Sequence, residues 1–293
     1  MSQDQLDLFS DCRDVMLRND VCEALLRRDP DASRTNLLDL ENEYPNDPSR
    51  EAFEMLVGVL EQGPPASPAQ PEAARAASLW LEQQVGPAAH RALGDEAGAR
   101  WIEPCWQALA EAAEPLAFDP ACCEGHAAPL WLRARQWQRA AHAAAAIPSW
   151  RRIPAPLGWV AQARHRLLGL DAAWPLLAEL AWIAPRRFEE VAVRLDDPVL
   201  LRLRKRFDAA HEGAGGPHDL VWFPAWALID EPRLERPLGE AQVQRACHPE
   251  RALRVVSELL SLERQGRQRD LVAARKQLRD LNESLFQAYM ATR

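Results

Sequence analysis

The chain has 293 residues, 47% of them hydrophobic, which is enough for a sizeable core built as one long repeat array or as two domains. Its net charge of -8 is unevenly placed: residues 1–54 carry 14 acids against 6 bases, and residues 55–293 balance at 29 against 29. An acidic front end repels phosphate and no dense Lys/Arg block follows it, so direct tight binding to nucleic acid is disfavoured.

The front segment MSQDQLDLF has neither the positive start nor the apolar run of a secretory signal. Cys12, Cys22, Cys105, Cys122, Cys123 and Cys247 form no CxxC pairing, and reduced thiols in a cytoplasm are the plain expectation. The longest apolar stretch, Ala172 to Ala184, is interrupted by Glu179 and is too short to span a bilayer.

Residues 11–28 and 49–62 place apolar side chains at three- and four-residue steps, with Val15, Val21 and Leu25 in the first and Phe53, Leu56 and Leu60 in the second. Two amphipathic helices follow, joined by turn chemistry at Tyr44-Pro45-Asn46-Asp47-Pro48. The expected first domain is this helical hairpin with its leading tail, residues 1–62. Residues 63–72 come next, with four prolines between Gly63 and Pro71 and no large apolar side chain in that stretch, and are read as an extended linker. A long surface loop inside one domain is the competing reading.

From residue 73 to 293, helical segments alternate with Pro or Gly breaks and strand signals are nearly absent, so the expected class is all-α. All eleven tryptophans fall between Trp80 and Trp226 and are read as packing anchors between successive helices. Asp219–Ile229 gathers three large aromatics and several aliphatics, for which burial is preferred over an exposed docking surface. At the end, Pro249–Arg264 and Gln268–Met290 flank Gly266, and Leu271, Ala274, Leu278, Leu281, Leu285 and Ala288 form a three-four seam. Its usual partner is the preceding helix; self-association is the other use of such a seam.

Trp159–Pro185 resembles a tetratricopeptide (TPR) unit: a helix ending at Leu168-Gly169, a second helix with small Ala173 and Ala181, and a terminal Pro185. Trp131–Pro148 resembles a shorter, degenerate copy. The resemblance implies a solenoid-like array of helical hairpins that binds another protein.

Gln5-Leu6-Asp7-Leu8-Phe9 matches at all five positions the peptide by which bacterial replication and repair proteins dock on the DNA polymerase sliding clamp. The resemblance implies that Leu8 and Phe9 fill an apolar subsite, Leu6 covers its edge, Gln5 sits in a polar pocket and Asp7 faces outward. The same residues also fit an ordinary first helix, capped by Ser2 and packed on its own hairpin. Ser284-Leu285-Phe286 repeats three motif positions inside a helix, so fragments of the motif carry little.

No catalytic signature accompanies it. Cys122, Cys123 and His126, with Cys105 upstream, match no usual zinc spacing, and no metal or cofactor is expected. His211 and His218 flank a glycine loop with Asp208 and Asp219 nearby, but no strand precedes the glycines and a phosphate cradle fails on context. Scattered acids such as Glu189, Glu190 and Asp196 are the residual material for a non-local active site. The sequence thus points to a non-enzymatic protein-binding adaptor, with a TPR-like scaffold unrelated to DNA as the alternative.

Overall fold

A computed structural model describes the backbone at residues 3–63, 70–210, 218–242 and 246–293, and side chains within those spans from Arg13 onward. Among the described residues there are sixteen α-helices, short 3-10 turns and no strand, so the protein is all-α. The helices gather into two compact units, 1–136 and 137–293.

The first unit opens with α1 (Gln3–Leu26), α2 (Pro30–Glu43) and α3 (Arg50–Gln62). Here the structure differs from the two-helix hairpin expected: α2 stands between the predicted helices. Its start is encoded locally, because the Asp29 side chain accepts from Ala32 N while Pro30 occupies the first helical turn. The inward face of α1 is Leu17, Val21, Ala24 and Leu25, whereas Val15 is 46% exposed, so the stripe is offset from the expected one.

Then α4 (Pro71–Trp80) passes through a π-turn, Leu81–Val85, into α5 (Gly86–Leu93), followed by α6 (Asp95–Ala113), a 3-10 turn at Pro120–Gly125 and α7 (Ala127–Arg133). Helices on both sides of residues 63–72 belong to this one unit. Trp101 of α6 donates its indole N–H to the Leu25 carbonyl at 2.8 Å, and Arg28 donates to the Trp101 carbonyl at 2.8 Å. The compact division lies at Gln136/Trp137 in place of the expected break at 63–72.

The second unit contains α8 (Trp137–Ala145), α9 (Pro154–Leu168), α10 (Leu170–Ile183), α11 (Pro185–Leu195), α12 (Pro198–Ala210), α13 (Phe223–Asp230), α14 (His248–Gln265), α15 (Gln268–Leu281) and α16 (Glu283–Ala291). Helices α9 and α10 pack closely across Gly169, whose φ of +84° an L side chain adopts only with strain. Ala173 and Ala181 are fully buried, and Pro185 opens α11. The degenerate copy expected at Trp131–Pro148 is divided: Trp131 closes the first unit in α7, and α8 opens the second.

The core of the second unit centres on Phe223, with ring centroids of Trp174, Phe188 and Phe207 at 6.2, 5.4 and 5.5 Å. Burying such side chains supplies roughly 1.5–3 kcal/mol each. Residues 223–229 are all buried, which decides that segment for the interior. The single C-terminal helix expected over Gln268–Met290 is broken at Asn282, whose side chain caps α16 by accepting from Leu285 N at 2.8 Å. Leu271, Ala274 and Leu278 are buried, and α15 packs on α14 of its own unit.

Candidate functional site

The candidate peptide Gln5, Leu6, Asp7, Leu8 and Phe9 falls within the bounds of α1, and its side chains lie outside the described residues. Behind it α1 is fastened. Arg13 forms a bidentate pair with Glu43 of α2, Nε and a terminal nitrogen donating to the two carboxylate oxygens at 3.1 and 2.8 Å. Arg18 donates to Asp14 at 2.6 Å and to Asp47 at 2.6 Å. Asp47 in turn accepts from Ser49 N, which ties the turn before α3 to α1. On the other side of the helix Val15 and Met16 are 46% and 55% exposed, large apolar side chains directed to water.

The cysteine–histidine segment does not assemble as a ligand set. Cys105 is buried in α6, where an Arg28 nitrogen donates to its Sγ at 3.7 Å. His126 caps α7, its Nδ1 accepting from Ala128 N at 3.1 Å, and burial holds its pKa below the ordinary imidazole value, so the ring is neutral. Cys122 instead meets Glu72 and Asp119, the three ligand atoms lying within 4.8 Å of one another. Partial burial and the two carboxylates push that thiol's pKa up against the pull of Arg75, so that without a bound cation it is protonated at neutral pH. Asp119 is further engaged in accepting from Ala121 N. Only a glycine fits at residue 125, because a Cβ there would meet the Pro71 carbonyl oxygen at 2.1 Å.

In the second unit the acids considered from sequence are tied into surface pairs: Glu189 with Arg204, Glu190 with Arg187, and Asp208 with Arg204. Asp196 takes a left-handed conformation, φ +52°, at the end of α11. His211 and the glycine loop lie outside the described residues, as does the histidine cluster considered there.

Two polar pairs that the sequence did not suggest stand out here. His165 Nε2 lies 2.8 Å from Asp197 Oδ2, with both side chains largely buried. Asp197 also accepts from Val199 N and Leu200 N at the start of α12. Burial alone would raise its pKa, but the bonds from His165, Leu200 and Val199 outweigh that and hold it below the ordinary carboxylate value. Glu179 of α10 is fully sealed from solvent and paired bidentately with Arg151 at 2.6 and 2.8 Å. It also accepts from Gln242 N at 2.8 Å, and Arg151 donates to the Glu240 carbonyl at 2.7 Å. Both pairs fasten one segment of the chain to another, 32 and 28 residues apart, which is why spacing alone gave no sign of them.

The second unit also carries an open groove of about 1070 Å³ between residues 232–241 and one face of α14. Its floor includes Trp182, Leu253 and Leu262, and its walls carry arginines 233, 236, 254, 264 and 267. No helix among the described residues is long and apolar enough to cross a membrane. No family model, curated protein or solved structure matches the chain.

Proposed function

We propose that this chain is a non-enzymatic protein-binding adaptor that docks on the bacterial DNA polymerase sliding clamp through Gln5–Phe9 and holds a second protein on its second helical unit. The observation that carries the reading is the complete five-position match of Gln5-Leu6-Asp7-Leu8-Phe9 to the clamp-docking peptide.

Leu and Phe anchors contribute roughly 1.5–3 kcal/mol each, and after ordering costs this gives affinity on the order of micromolar, suited to reversible docking on a shared hub. For the second unit, the α9–α10 hairpin with its buried Ala173 and Ala181 supports a TPR-like array, whose successive helical pairs offer a surface for a protein ligand.

Titrating the full chain against purified sliding clamp tests the proposal. Saturable binding is expected, with a Leu8→Ala/Phe9→Ala double variant losing at least tenfold in affinity while keeping its helical circular dichroism. Unchanged affinity in that variant, or absence of clamp binding by the wild type, overturns the clamp assignment and leaves a helical scaffold unconnected to replication.

A further inference from the structure

We infer that the groove between residues 232–241 and α14 is a docking site for an extended acidic peptide bearing apolar side chains. This rests on the second-partner role proposed for that unit and names the chemistry of the partner. Five arginines and two glutamates, Glu235 and Glu258, line the groove, so its lining is basic in a chain of net charge -8.

The arrangement of the ion pairs sharpens that bias. Arg233, Arg254 and Arg264 keep 61, 51 and 61% of their side chains exposed, while the carboxylates that pair them are sunk: Glu231 at 24%, Glu250 at 1% and Glu235 at 16%. The guanidinium groups are therefore more exposed than their counter-charges, of which only Glu235 lines the groove. Each guanidinium has five N–H donors and its pair uses only part of them, so the walls present donors to an incoming acceptor. Arg236 is exposed and pairs with no carboxylate among the described residues.

The shape selects an extended peptide. The α14 lining runs from Leu253 to Gln265, about 18 Å at the helical rise, which matches roughly five or six residues of extended chain. Ser257 and Ser261 keep that face low between its ends, and Leu238 with the floor residues offers apolar contact for alternate side chains. Nucleic acid fits less well, because the one aromatic residue lining the groove, Trp182, is only 4% exposed and offers no stacking face.

Fluorescence anisotropy on the full chain tests this with labelled peptides of about ten residues alternating Asp or Glu with Leu. Saturable binding is expected, weakening several-fold between about 50 and 300 mM salt, with no binding of the same peptide carrying Lys at the acidic positions. Arg236→Glu should weaken binding at least tenfold and Arg236→Ala several-fold; neither removes an ion pair described in the fold. Equal binding to wild type and Arg236→Glu, no saturation by the acidic peptide, or tighter binding of pyrophosphate or a single-stranded oligonucleotide than of the peptide would each overturn the inference. The Leu8→Ala/Phe9→Ala variant should bind the peptide as wild type does, so groove and clamp readings fail separately.

Discussion

The three-helix front of the first unit and the centre of the second are both fastened by arginine–carboxylate pairs; apart from Arg18–Asp47, whose carboxylate is buried, those joining the front helices lie at the surface, whereas Arg151–Glu179 is buried. Across α1, α2 and α3 the pairs Arg13–Glu43 and Arg34–Glu61 join neighbouring helices with both partners roughly 40–50% exposed. In the second unit, Arg151–Glu179 reaches into a helix whose residues 173–182 are all buried, and the carboxylate has no exposure at all. The first arrangement fixes geometry on a wet surface with little net free energy. The second holds the segment before Gln242 against α10, and removing one partner leaves a charge stranded in the interior.

The sharpest way to break this contrast is Glu179→Ala. Removing one member of a buried pair costs about 3–5 kcal/mol, and in a unit of this size the thermal midpoint should fall on the order of 10 °C. Replacing both partners by apolar residues, Arg151→Met with Glu179→Leu, should recover much of the loss, since the pair is weak as a stabiliser and costly only when halved. A midpoint shift below about 2 °C in the single variant would mean the pair is as marginal as those on the surface.

A smaller effect is expected at His126, which lies between those extremes of burial. Its Nδ1 accepts from Ala128 N only while the ring is neutral, and burial lowers its pKa. A base whose folded pKa is depressed stabilises the fold fully above its unfolded value of about 6.5, and that contribution is lost as pH falls through the lowered folded value. Thermal midpoints at pH 8 and pH 5 should therefore separate further for the wild type than for His126→Asn, by the few degrees that correspond to about 1 kcal/mol, the usual worth of a helix cap. Equal pH dependence in both proteins would remove His126 from the account.

The same difference in depth decides what was legible in the sequence. The helical class, the Gly169 turn and the burial of residues 223–229 followed from periodicity and composition, which report local packing. Helix α2 did not, because its buried stripe is only Ser33, Leu37 and Leu40 among acids and amides. The division at Gln136/Trp137 has neither proline nor glycine, only Arg135 at φ +56°, whereas the helices before and after the proline-rich stretch belong to one unit. Composition marks where backbone cannot be helical; it does not mark which helices later share a core through contacts such as Trp101 to Leu25, 76 residues apart. Asn282 broke a heptad seam that ran on unchanged across it, since a cap interrupts the backbone without altering the apolar pattern. The candidate peptide was legible because recognition by extended segments is written in contiguous residues, while the arginine groove draws its walls from residues 233 to 267 and needed the fold.

At the small end of the scale stands Glu43→Ala. Its pairing with Arg13 is bidentate and well aligned, and it holds the Glu43 carboxylate below the ordinary pKa. Both groups remain in water, however, where screening and the entropy of two long side chains consume the gain. The thermal midpoint of the variant should sit within the scatter of wild type at moderate salt. Because Arg13–Glu43 joins α1 to the last residue of α2, the variant should instead change hydrogen exchange at the end of α2 and around Asp14 of α1, with the global midpoint unmoved. A clear drop in the midpoint would show that the three-helix front relies on its surface pairs, and the contrast with Glu179 would reduce to one of degree.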